Sequence, residues 1–334
     1  MKKILLTLCI PTYNRVKYLK ETLDSIETKN IEDIEICISD NNSVDNTENF
    51  IKEYIIKSKF KIKYERLDKN YGADLNYMNV VRMANGEYCW FLGSDDVLAV
   101  GAIDYILNSI KSKSDIYLCN RFECDLQMRN LGKREWLKYV SEENSTFELS
   151  DEIDLIDYIS RSTSLGAIFS YLSSIIFKRE RWNQYPLKNE YIGTAYSHVF
   201  ILMSFMQHGC KLTYINNALV YSRGGNDSFL NEGLARRIML DIDGYMLLIS
   251  DIPSLNKIKN HVVSLLKRER REIKMLIQIR AFTTNEEWAE IKDKLIGIEY
   301  SKYNIFIIGK FKSFSIILLK INYLIKLLKN SINT

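Results

Sequence analysis

Apolar and polar positions alternate in blocks along roughly the first 120 residues. Longer, partly apolar stretches separate short apolar runs, and this pattern predicts helices between strands. The predicted strands are Leu5–Ile10, Ile34–Ser39, Lys61–Arg66, Tyr88–Leu92 and Ile116–Cys119, and the predicted helices lie near Val16–Lys29, Asn46–Lys57, Asp74–Ala84 and Val100–Lys111. Because strands and helices alternate at this spacing, we expect βαβ units and an α/β fold with a mostly parallel sheet flanked by helices.

The pattern changes after this first block. Residues Arg134–Asp151 are mainly polar and acidic, which predicts an excursion over the surface. The later predicted elements are a strand at Tyr171–Phe177, a helix near Ala195–Gln207, and strands near Lys211–Ile215 and Ala218–Tyr221. Beyond Phe229 the pattern is mainly helical. We therefore expect an α/β domain over residues 1–228 and a helical C-terminal region over residues 229–334.

The composition is that of a folded protein, and its charge is unevenly distributed. Hydrophobic residues make up 46% of the chain and charged residues 26%. The formal net charge is +4, but residues 301–334 contain six lysines and no acidic residue, so the first 300 residues carry −2. The net negative charge of the first 300 residues argues against nucleic acid as a partner, whereas the basic C-terminal segment would suit an anionic partner.

Cysteine use and the N-terminal residues predict a reducing compartment. The six cysteines form no Cys-x-x-Cys pair, and a disulfide framework is not expected in a chain this long without a signal peptide. Residues 1–10 are too short for a signal peptide or a membrane span because they run directly into Pro11. They are better explained as the first strand.

Two adjacent carboxylates, Asp95 and Asp96, follow the apolar run Tyr88–Leu92, which breaks off at Gly93. The carboxyl edge of an open α/β sheet is where ligands bind. Two like charges side by side repel each other unless a cation lies near them, and hard divalent ions prefer carboxylate oxygens. The same pair would also suit a helix N-cap or a turn, so it does not identify a metal site by itself.

Polar side chains also follow the first two predicted strands. After the first, Tyr13 could stack on a nucleobase and Arg15 could meet a phosphate. After the second, the carboxylate of Asp40 can accept from a base N–H, and Asn42 offers both a donor and an acceptor. Turn and capping roles would explain each group singly. They do not explain why several strands end in residues able to bind a ligand.

The set of motifs resembles the family 2 glycosyltransferases of GT-A fold. The chain has a strand ending in Pro-Thr-Tyr-Asn-Arg, a strand ending in Ser-Asp-Asn, an Asn-x-Gly before a helix, and an acidic motif. The resemblance implies a nucleoside pocket formed by Pro11, Thr12, Tyr13, Arg15, Asp40, Asn42, Asn70, Gly72 and Asn76. The Asp-x-Asp motif of the family is present as Ser94-Asp95-Asp96, with serine replacing its first carboxylate.

The resemblance also implies roles for the acidic motif and for a later loop. Asp95 would reach the ribose, and Asp96 would bind the Mg²⁺ or Mn²⁺ that bridges the diphosphate of the nucleotide-sugar donor. The loop that follows the last predicted strand contains Arg223, Asn226 and Ser228. A comparable Arg-rich stretch closes over the donor in the family.

A closer resemblance covers nearly the whole chain. Segments such as Glu87–Asp96 and Phe169–Trp182 are similar to the abequosyltransferases of O-antigen assembly. That resemblance implies transfer of a 3,6-dideoxyhexose from a CDP-sugar to a mannose of an undecaprenyl-diphosphate-linked oligosaccharide. Two alternatives stay open, namely a UDP- or dTDP-sugar with another surface-polysaccharide acceptor, and a non-catalytic sugar-nucleotide-binding protein.

His198 occupies the position where many inverting family members carry the aspartate that acts as general base. An imidazole can accept a hydroxyl proton near neutral pH. The resemblance to abequosyltransferases, however, implies an α-linked donor and an α-linked product, and one displacement assisted by a single base inverts the configuration. If the configuration is retained, His198 would only position the acceptor. The sequence leaves both roles open.

The end of the chain predicts a basic amphipathic helix. Its apolar face would contain Ile317, Ile321, Leu324 and Leu328, opposite Lys312, Asn322, Lys326 and Lys329. Such a helix either docks on the protein or lies in an anionic membrane surface. Because the implied acceptor is lipid-linked, we expect this helix to lie in the membrane surface. The protein would then be cytoplasmic and peripheral to the inner face of the cytoplasmic membrane.

Overall fold

The computed structural model describes residues 3–140, 144–227, 229, 233–269 and 271–319. Over these residues the strands are β1 (Leu6–Thr12), β2 (Ile34–Asp40), β3 (Ile62–Arg66), β4 (Tyr88–Phe91), β5 (Val97–Leu98), β6 (Ile116–Cys124), β7 (Asn130–Arg134), β8 (Ser145–Glu148), β9 (Ile175–Lys178) and β10 (Lys211–Arg223). The helices up to the last strand are α1 (Val16–Asp24), α2 (Thr47–Lys57), α3 (Ala73–Arg82), α4 (Ala102–Ser109), α5 (Glu152–Arg161), α6 (Arg179–Trp182) and α7 (Ser197–Ser204). The C-terminal helices are α8 (Leu234–Asp251), α9 (Pro253–Lys257), α10 (Lys259–Glu269), α11 (Glu272–Ala281), α12 (Asn285–Gly297) and α13 (Lys302–Lys310).

One sheet contains all of these strands, in the order β3-β2-β1-β4-β9-β6-β10-β5, with β7 on β6 and β8 on β10. The first four strands are parallel to one another, as the alternating pattern predicts. Strand β9 runs antiparallel between β4 and β6, which separates this parallel half from the later strands. The carboxyl ends of β1, β2 and β4 therefore lie next to one another at one edge.

Successive side chains of the central strands belong to different cores. On β4, Cys89 and Phe91 pack into the core on the side of α3 and α7, whereas Tyr88 and Trp90 pack against α1 and α4. This two-residue alternation is the geometry of a strand covered on both faces. Burying a large apolar side chain contributes about 1.5–3 kcal/mol, so the strand ends that carry the polar residues are rigidly supported.

Three sequence-based expectations need correction. The segment Arg134–Asp151 is not simply a surface excursion, because Trp136 and Phe147 are buried in the main core. Its isolated apolar residues have no regular spacing, which hid their burial. The predicted strand Tyr171–Phe177 begins as a 3₁₀ turn at Leu172–Ser174, and only then becomes β9. The two strands predicted near Lys211–Ile215 and Ala218–Tyr221 form the single strand β10, whose pairing with β6 shifts register after Ile215.

The mainly helical pattern beyond Phe229 is confirmed over the described residues. Helix α8 packs on two clusters, because Tyr245 and Leu248 join the main core while Ile238 and Ile242 join a cluster formed with α11 and α12. The division at residue 228 stays a prediction. No helix among the described residues is long and apolar enough to cross a membrane. Of the predicted tail, only the positions up to residue 319 lie within the described ranges.

Candidate active site

Two adjoining cavities open at the carboxyl edge of the sheet. The outer cavity, of about 760 Å³, is bordered by the ends of β1, β2 and β4 and the start of α3, through residues that include Pro11, Thr12, Tyr13, Asn41, Asn70, Gly72, Asn76 and Ser94. The inner cavity, of about 500 Å³, is bordered by residues that include Asp96, Arg121, Trp136, Ser164, Tyr171, His198 and Asp241. Arg15, Tyr77, Gly93, Asp95 and Asn226 border both. The acidic motif therefore lies at the junction of the two cavities.

Asp96 is almost fully buried and accepts three hydrogen bonds. Its Oδ2 accepts from the hydroxyls of Tyr171 at 2.6 Å and Ser173 at 2.5 Å, and its Oδ1 accepts from the backbone N–H of Arg223 at 3.1 Å. Desolvation nevertheless raises the pKa of Asp96 above its ordinary value. The hydrogen bonds fix the orientation of the carboxylate without neutralising its charge.

Asp95 is held by two neighbours from distant parts of the chain. Its Oδ2 accepts from the Arg15 guanidinium at 3.0 Å and from the Asn226 amide at 2.6 Å. Desolvation, together with the charge of Asp96, raises the pKa of Asp95 to about 6. Because Arg15 compensates only part of the negative charge of the two carboxylates, a further positive charge would be stabilised beside them.

The carboxylate pair fits a divalent cation. A Cβ atom at Gly93 would lie 2.9 Å from Asp96 Oδ2 and 3.3 Å from Asp95 Oδ1, so the absent side chain leaves space that both carboxylates face. Carboxylate oxygens suit Mg²⁺ or Mn²⁺. Among the described residues no group of three or more His, Cys, Asp or Glu could hold a metal. Asp95 and Asp96 could therefore supply only part of the ligand set, as in sites that Mg²⁺ completes with substrate phosphates.

Arg223 is committed to the protein itself. Its guanidinium donates to the backbone oxygens of Asp95 and Leu126, and to the carboxylate of Glu21 at 2.6 Å. The side chain is 3% exposed, and it ties the end of β10 to the acidic motif. Asn226 borders both cavities, and Ser228 lies outside the described residues.

The outer cavity brings together most of the residues assigned to the nucleoside, but not all. Asp40 and Asn42 do not border it. Asp40 is fully buried and accepts from the Tyr64 hydroxyl and the Ser43 backbone, each at 2.8 Å. Asn41 borders the cavity instead, and its amide donates to Asn70 Oδ1 at 2.8 Å.

Two further features of the outer cavity bear on a ligand. Tyr13 is 41% exposed, which leaves its ring accessible for stacking. The hydroxyl of Thr12 is buried and has no hydrogen-bond partner within the described part of the chain. An unsatisfied buried polar group at a cavity wall is a candidate for contact with a ligand.

A carboxylate on α3 holds the start of α7. Asp74 accepts from the backbone N–H groups of Gly193 and Ala195, each at 2.9 Å, and of Ser197 at 3.1 Å. An acidic group at this position also interacts favourably with the N-terminal end of the helix dipole. Asp74 thereby links the helix after the nucleoside motifs to the helix that presents His198.

His198 is a buried, neutral imidazole at the wall of the inner cavity. Only 2% of its surface is exposed, and burial lowers its pKa to about 4. Its Nε2 lies 3.0 Å from the carbonyl oxygen of Phe169, so the Nε2–H donates to that carbonyl and Nδ1 is left as an acceptor. Nδ1 has no partner among the described residues.

No pattern in the sequence indicates a functional role for several residues of the inner cavity. Arg121 of β6 lies over the rings of Tyr171 and Trp136, at 4.1 Å and 4.9 Å from their centroids. Helices α8 and α10 contribute Asp241 and Glu269. Tyr171 and Ser173 were assigned to a strand, and Trp136 lies in the segment predicted to run over the surface. Arg121, which follows the apolar run Ile116–Cys119, is the one residue of this group that the pattern marks, and an arginine there indicates only an exposed strand end.

Comparisons with known proteins identify relatives of this chain. The model of the Glycosyl transferase family 2 domain matches residues 7–169. The chain is 42% identical over 298 residues to the abequosyltransferase RfbV of Salmonella typhimurium, covering 87% of this chain and 88% of that protein. It is 28% identical over 206 residues to the GalNAc(5)-diNAcBac-PP-undecaprenol beta-1,3-glucosyltransferase of Campylobacter jejuni, covering 61% and 62%.

Solved structures of glycosyltransferases share the fold. Residues 1–349 of S. aureus TarS, in complex with UDP-GlcNAc, match with a TM-score of 0.61 at 15% identity, covering 93% of this chain and 91% of that one. The mannosyltransferase PcManGT of Pyrobaculum calidifontis, in complex with GDP-Man and Mn²⁺, gives a TM-score of 0.56 at 12% identity, covering 93% and 88%. The chain therefore has the GT-A fold and belongs to the family 2 glycosyltransferases, enzymes that use a nucleotide-sugar donor and generally a divalent metal ion.

Proposed function

We propose that this enzyme transfers a 3,6-dideoxyhexosyl group of the abequose type from a CDP-sugar to a mannose of an undecaprenyl-diphosphate-linked O-antigen oligosaccharide. The observation that carries the proposal is the 42% identity to an abequosyltransferase over 87% of the chain. That similarity extends well beyond residues 7–169, which the family model matches. A match that covers 87% of the chain includes most of the residues of the inner cavity.

The proposed roles follow the order of the cavities. The outer cavity receives the nucleoside, with Tyr13 stacking on the base and Asn70 and Asn76 along its wall. Asp96 and Asp95 would hold Mn²⁺ or Mg²⁺, which would supply charge stabilisation for the departing diphosphate. Arg15, whose guanidinium lies 3.0 Å from Asp95, would contact the same phosphates. The sugar then extends from this junction into the inner cavity.

Transfer breaks the bond between the donor anomeric carbon and the diphosphate oxygen, and forms a bond from that carbon to an acceptor hydroxyl oxygen. The acceptor hydroxyl also loses its proton, which must pass to a base or to the oxygen of the departing diphosphate. A pKa of about 4 makes His198 a weak base at neutral pH, although it is fully in the unprotonated form. We therefore favour the positioning role for His198 over the role of general base.

The C-terminal helices would place the enzyme at the inner face of the cytoplasmic membrane. An apolar groove near the end of the described chain is bordered by Ile273, Ile277, Ile307, Phe311 and Phe314. Phe311 and Phe314 are more than half exposed, and lysines at 302, 310 and 312 lie in the same segment. Exposed aromatic residues next to lysines suit an anionic lipid surface, and the proposed acceptor is lipid-linked.

The donor is tested by nucleotide-dependent thermal stability. With Mn²⁺ present, CDP should raise the melting temperature of the chain more than UDP or dTDP at equal concentration, because the better-bound ligand stabilises the folded state more. A larger shift with UDP or dTDP would favour a different donor. Transfer from a CDP-dideoxyhexose to a synthetic mannoside separates an enzyme from a non-catalytic binding protein, which would bind CDP and form no product.

Vesicle sedimentation tests the membrane proposal. The full chain should sediment with vesicles that contain anionic lipid and stay in solution with zwitterionic ones. Replacing both Phe311 and Phe314 by serine should weaken this binding, while replacing the exposed Val44, in the loop between β2 and α2, by serine should not. Equal binding of all three proteins would contradict a role for this groove.

A further inference from the structure

Four buried polar atoms on residues that border the inner cavity have no hydrogen-bond partner within the described residues. They are Nδ1 of His198, Oγ of Ser164, Nε of Arg121 and Nε of Arg134, and the last of these lies 4.0 Å from the carboxylate of Glu123 in an ion pair. Buried polar groups in folded proteins are nearly always satisfied, so each exception calls for a specific explanation. The other three residues, His198, Ser164 and Arg121, come from three separate parts of the chain and border the same cavity.

We propose that these three groups bind hydroxyls of the acceptor sugar, and that the inner end of the cavity is the acceptor-saccharide subsite. This inference rests on the proposed function and adds to it the residues that recognise the acceptor. Arg121 Nε can only donate, His198 Nδ1 accepts, and the Ser164 hydroxyl can do both. A sugar hydroxyl also donates and accepts, so a vicinal set of hydroxyls matches this mixture.

The charges around the three groups favour an uncharged ligand. Arg237 forms ion pairs with Asp227 at 2.8 Å and with Asp241, and Arg121 lies 3.3 Å from Glu123. The carboxylate of Glu269, which also borders the cavity, accepts the backbone N–H of Leu165 at 2.9 Å. Because both arginines are already paired with carboxylates, they offer little attraction to an anion, and a neutral polyol fits the cavity better than a phosphate or a carboxylate would.

Position and chemistry assign the subsite to the acceptor and not to the donor sugar. The donor sugar is attached to the diphosphate, which a divalent ion on Asp95 and Asp96 would hold where the two cavities meet. His198 and Ser164 border only the inner cavity, on the side of α7 and α8. A 3,6-dideoxyhexose also lacks two hydroxyls and would leave polar groups unpaired, whereas a fully hydroxylated hexose such as mannose can satisfy all three.

The His198 contact is supported by the local backbone. Nε2–H donates to the carbonyl oxygen of Phe169, which fixes the tautomer and leaves Nδ1 as the acceptor. Phe169 has a φ of +70° and Ala195 a φ of +63°. Such backbone is uncommon for residues with side chains, and the surrounding structure must maintain it.

Steady-state kinetics with the full chain, a CDP-dideoxyhexose and a synthetic methyl mannoside test the subsite. Ser164→Ala and His198→Ala should each raise the KM for the mannoside roughly 10-fold, because each removes one hydrogen bond to a buried hydroxyl. The KM for the donor should not change. His198→Asn places an amide oxygen near the position of Nδ1 and should recover most of the loss.

Ser204→Ala is the matched control. Ser204 is buried and donates to the carbonyl oxygen of Phe200 at 2.8 Å, but it does not border the cavity, so its loss should affect stability and not the mannoside KM. A raised donor KM in Ser164→Ala or His198→Ala would assign the groups to the donor sugar and overturn the proposal. Unchanged KM values for both substrates would overturn it as well.

Equilibrium binding separates this inference from the proposed function. If the wild type transfers nothing from a CDP-sugar, the proposed function fails. Saturation-transfer NMR with CDP, Mn²⁺ and methyl mannoside then still tests the subsite. Binding of the mannoside to the wild type and its loss in Ser164→Ala would support the subsite, and equal signals for the two proteins would contradict it.

Discussion

The two cavities differ in how the chain builds them. The outer cavity is formed largely by loops that follow β1, β2 and β4, all within residues 11–96. Apart from Arg15, Tyr77 and the residues of the acidic motif, the inner cavity collects residues from β6, the 3₁₀ turn before β9, α7, α8 and α10, spread between residues 121 and 269. The outer cavity is therefore built from motifs that are short in sequence and lie at one sheet edge. The inner cavity depends on tertiary packing.

The two cavities also differ in how their polar groups are satisfied. In the outer cavity, Asn41 bonds to Asn70 and to the backbone of Tyr71, and Asn76 bonds to Ser39. In the inner cavity, several buried polar atoms have no partner among the described residues, whereas at the outer cavity this holds, among those residues, only for the hydroxyl of Thr12. A largely preformed outer cavity beside an inner cavity with unpaired groups suits the proposed use of a shared kind of donor and of an acceptor that must be distinguished from similar sugars.

Replacing Asp96, which lies where the cavities meet, should have the largest effect on the reaction. Asp96→Ala removes the proposed metal ligand, and a loss of several kcal/mol in stabilisation of the leaving diphosphate corresponds to a roughly 10³-fold or larger fall in kcat. Steady-state transfer rates at saturating Mn²⁺ measure this. Circular dichroism should show an unchanged fold.

Asp24→Ala is the control, because Asp24 is a half-exposed carboxylate at the end of α1 that borders neither cavity. It should leave the transfer rate unchanged. Near-normal turnover of Asp96→Ala with the metal removed would show that the junction between the cavities does not carry the chemistry.

Asp95 provides the next test, through the pH dependence of stability in the absence of metal. Its pKa is about 6 in the folded protein and 3.8 as the ordinary value, so between these pH values the folded state binds more protons than the unfolded state. Stability should therefore fall as pH rises from about 4 to 6. Asp95→Asn removes this contribution and should be more stable than the wild type at pH 7, by up to about 3 kcal/mol.

Urea unfolding at pH 4 and pH 7 measures the difference. The two proteins should have similar stabilities at pH 4, where Asp95 is protonated in both states. Adding Mn²⁺ and CDP at pH 7 should stabilise the wild type more than Asp95→Asn. A variant that is less stable than the wild type at pH 7 without metal would mean that Arg15 already compensates the charge.

The sequence was informative where function depends on neighbours in the chain. The parallel half of the sheet and the strand ends that border the outer cavity follow from hydrophobic periodicity and from turn chemistry. Assigning Asn42 to the pocket instead of Asn41 illustrates the limit, because adjacent residues after a strand point in different directions. Asn42 takes a φ of +63°, which turns the chain there.

The inner cavity could not be predicted in the same way. Tyr171 reaches Asp96 across 75 positions, and Arg237 reaches Asp227 from the next helix. Such contacts depend on the insertion of antiparallel β9 beside β4, and no short motif in the chain specifies that topology. Trp136 was missed for a related reason, since one buried tryptophan among polar residues has no period that reveals its burial.

The smallest expected effect tests whether the inner region acts on the junction through Tyr171. Its hydroxyl donates to Asp96 Oδ2 at 2.6 Å, and residues that orient a metal ligand typically change metal affinity 10- to 100-fold when they are replaced. Tyr171→Phe should therefore raise the Mn²⁺ concentration needed for half-maximal CDP-dependent stabilisation by that factor.

Tyr185→Phe is the matched control, because the Tyr185 hydroxyl is buried, borders neither cavity and has no partner among the described residues. If both variants require the same Mn²⁺ concentration as the wild type, Asp96 is oriented by Ser173 and the backbone of Arg223 alone, and the inner cavity does not influence the metal site through this tyrosine.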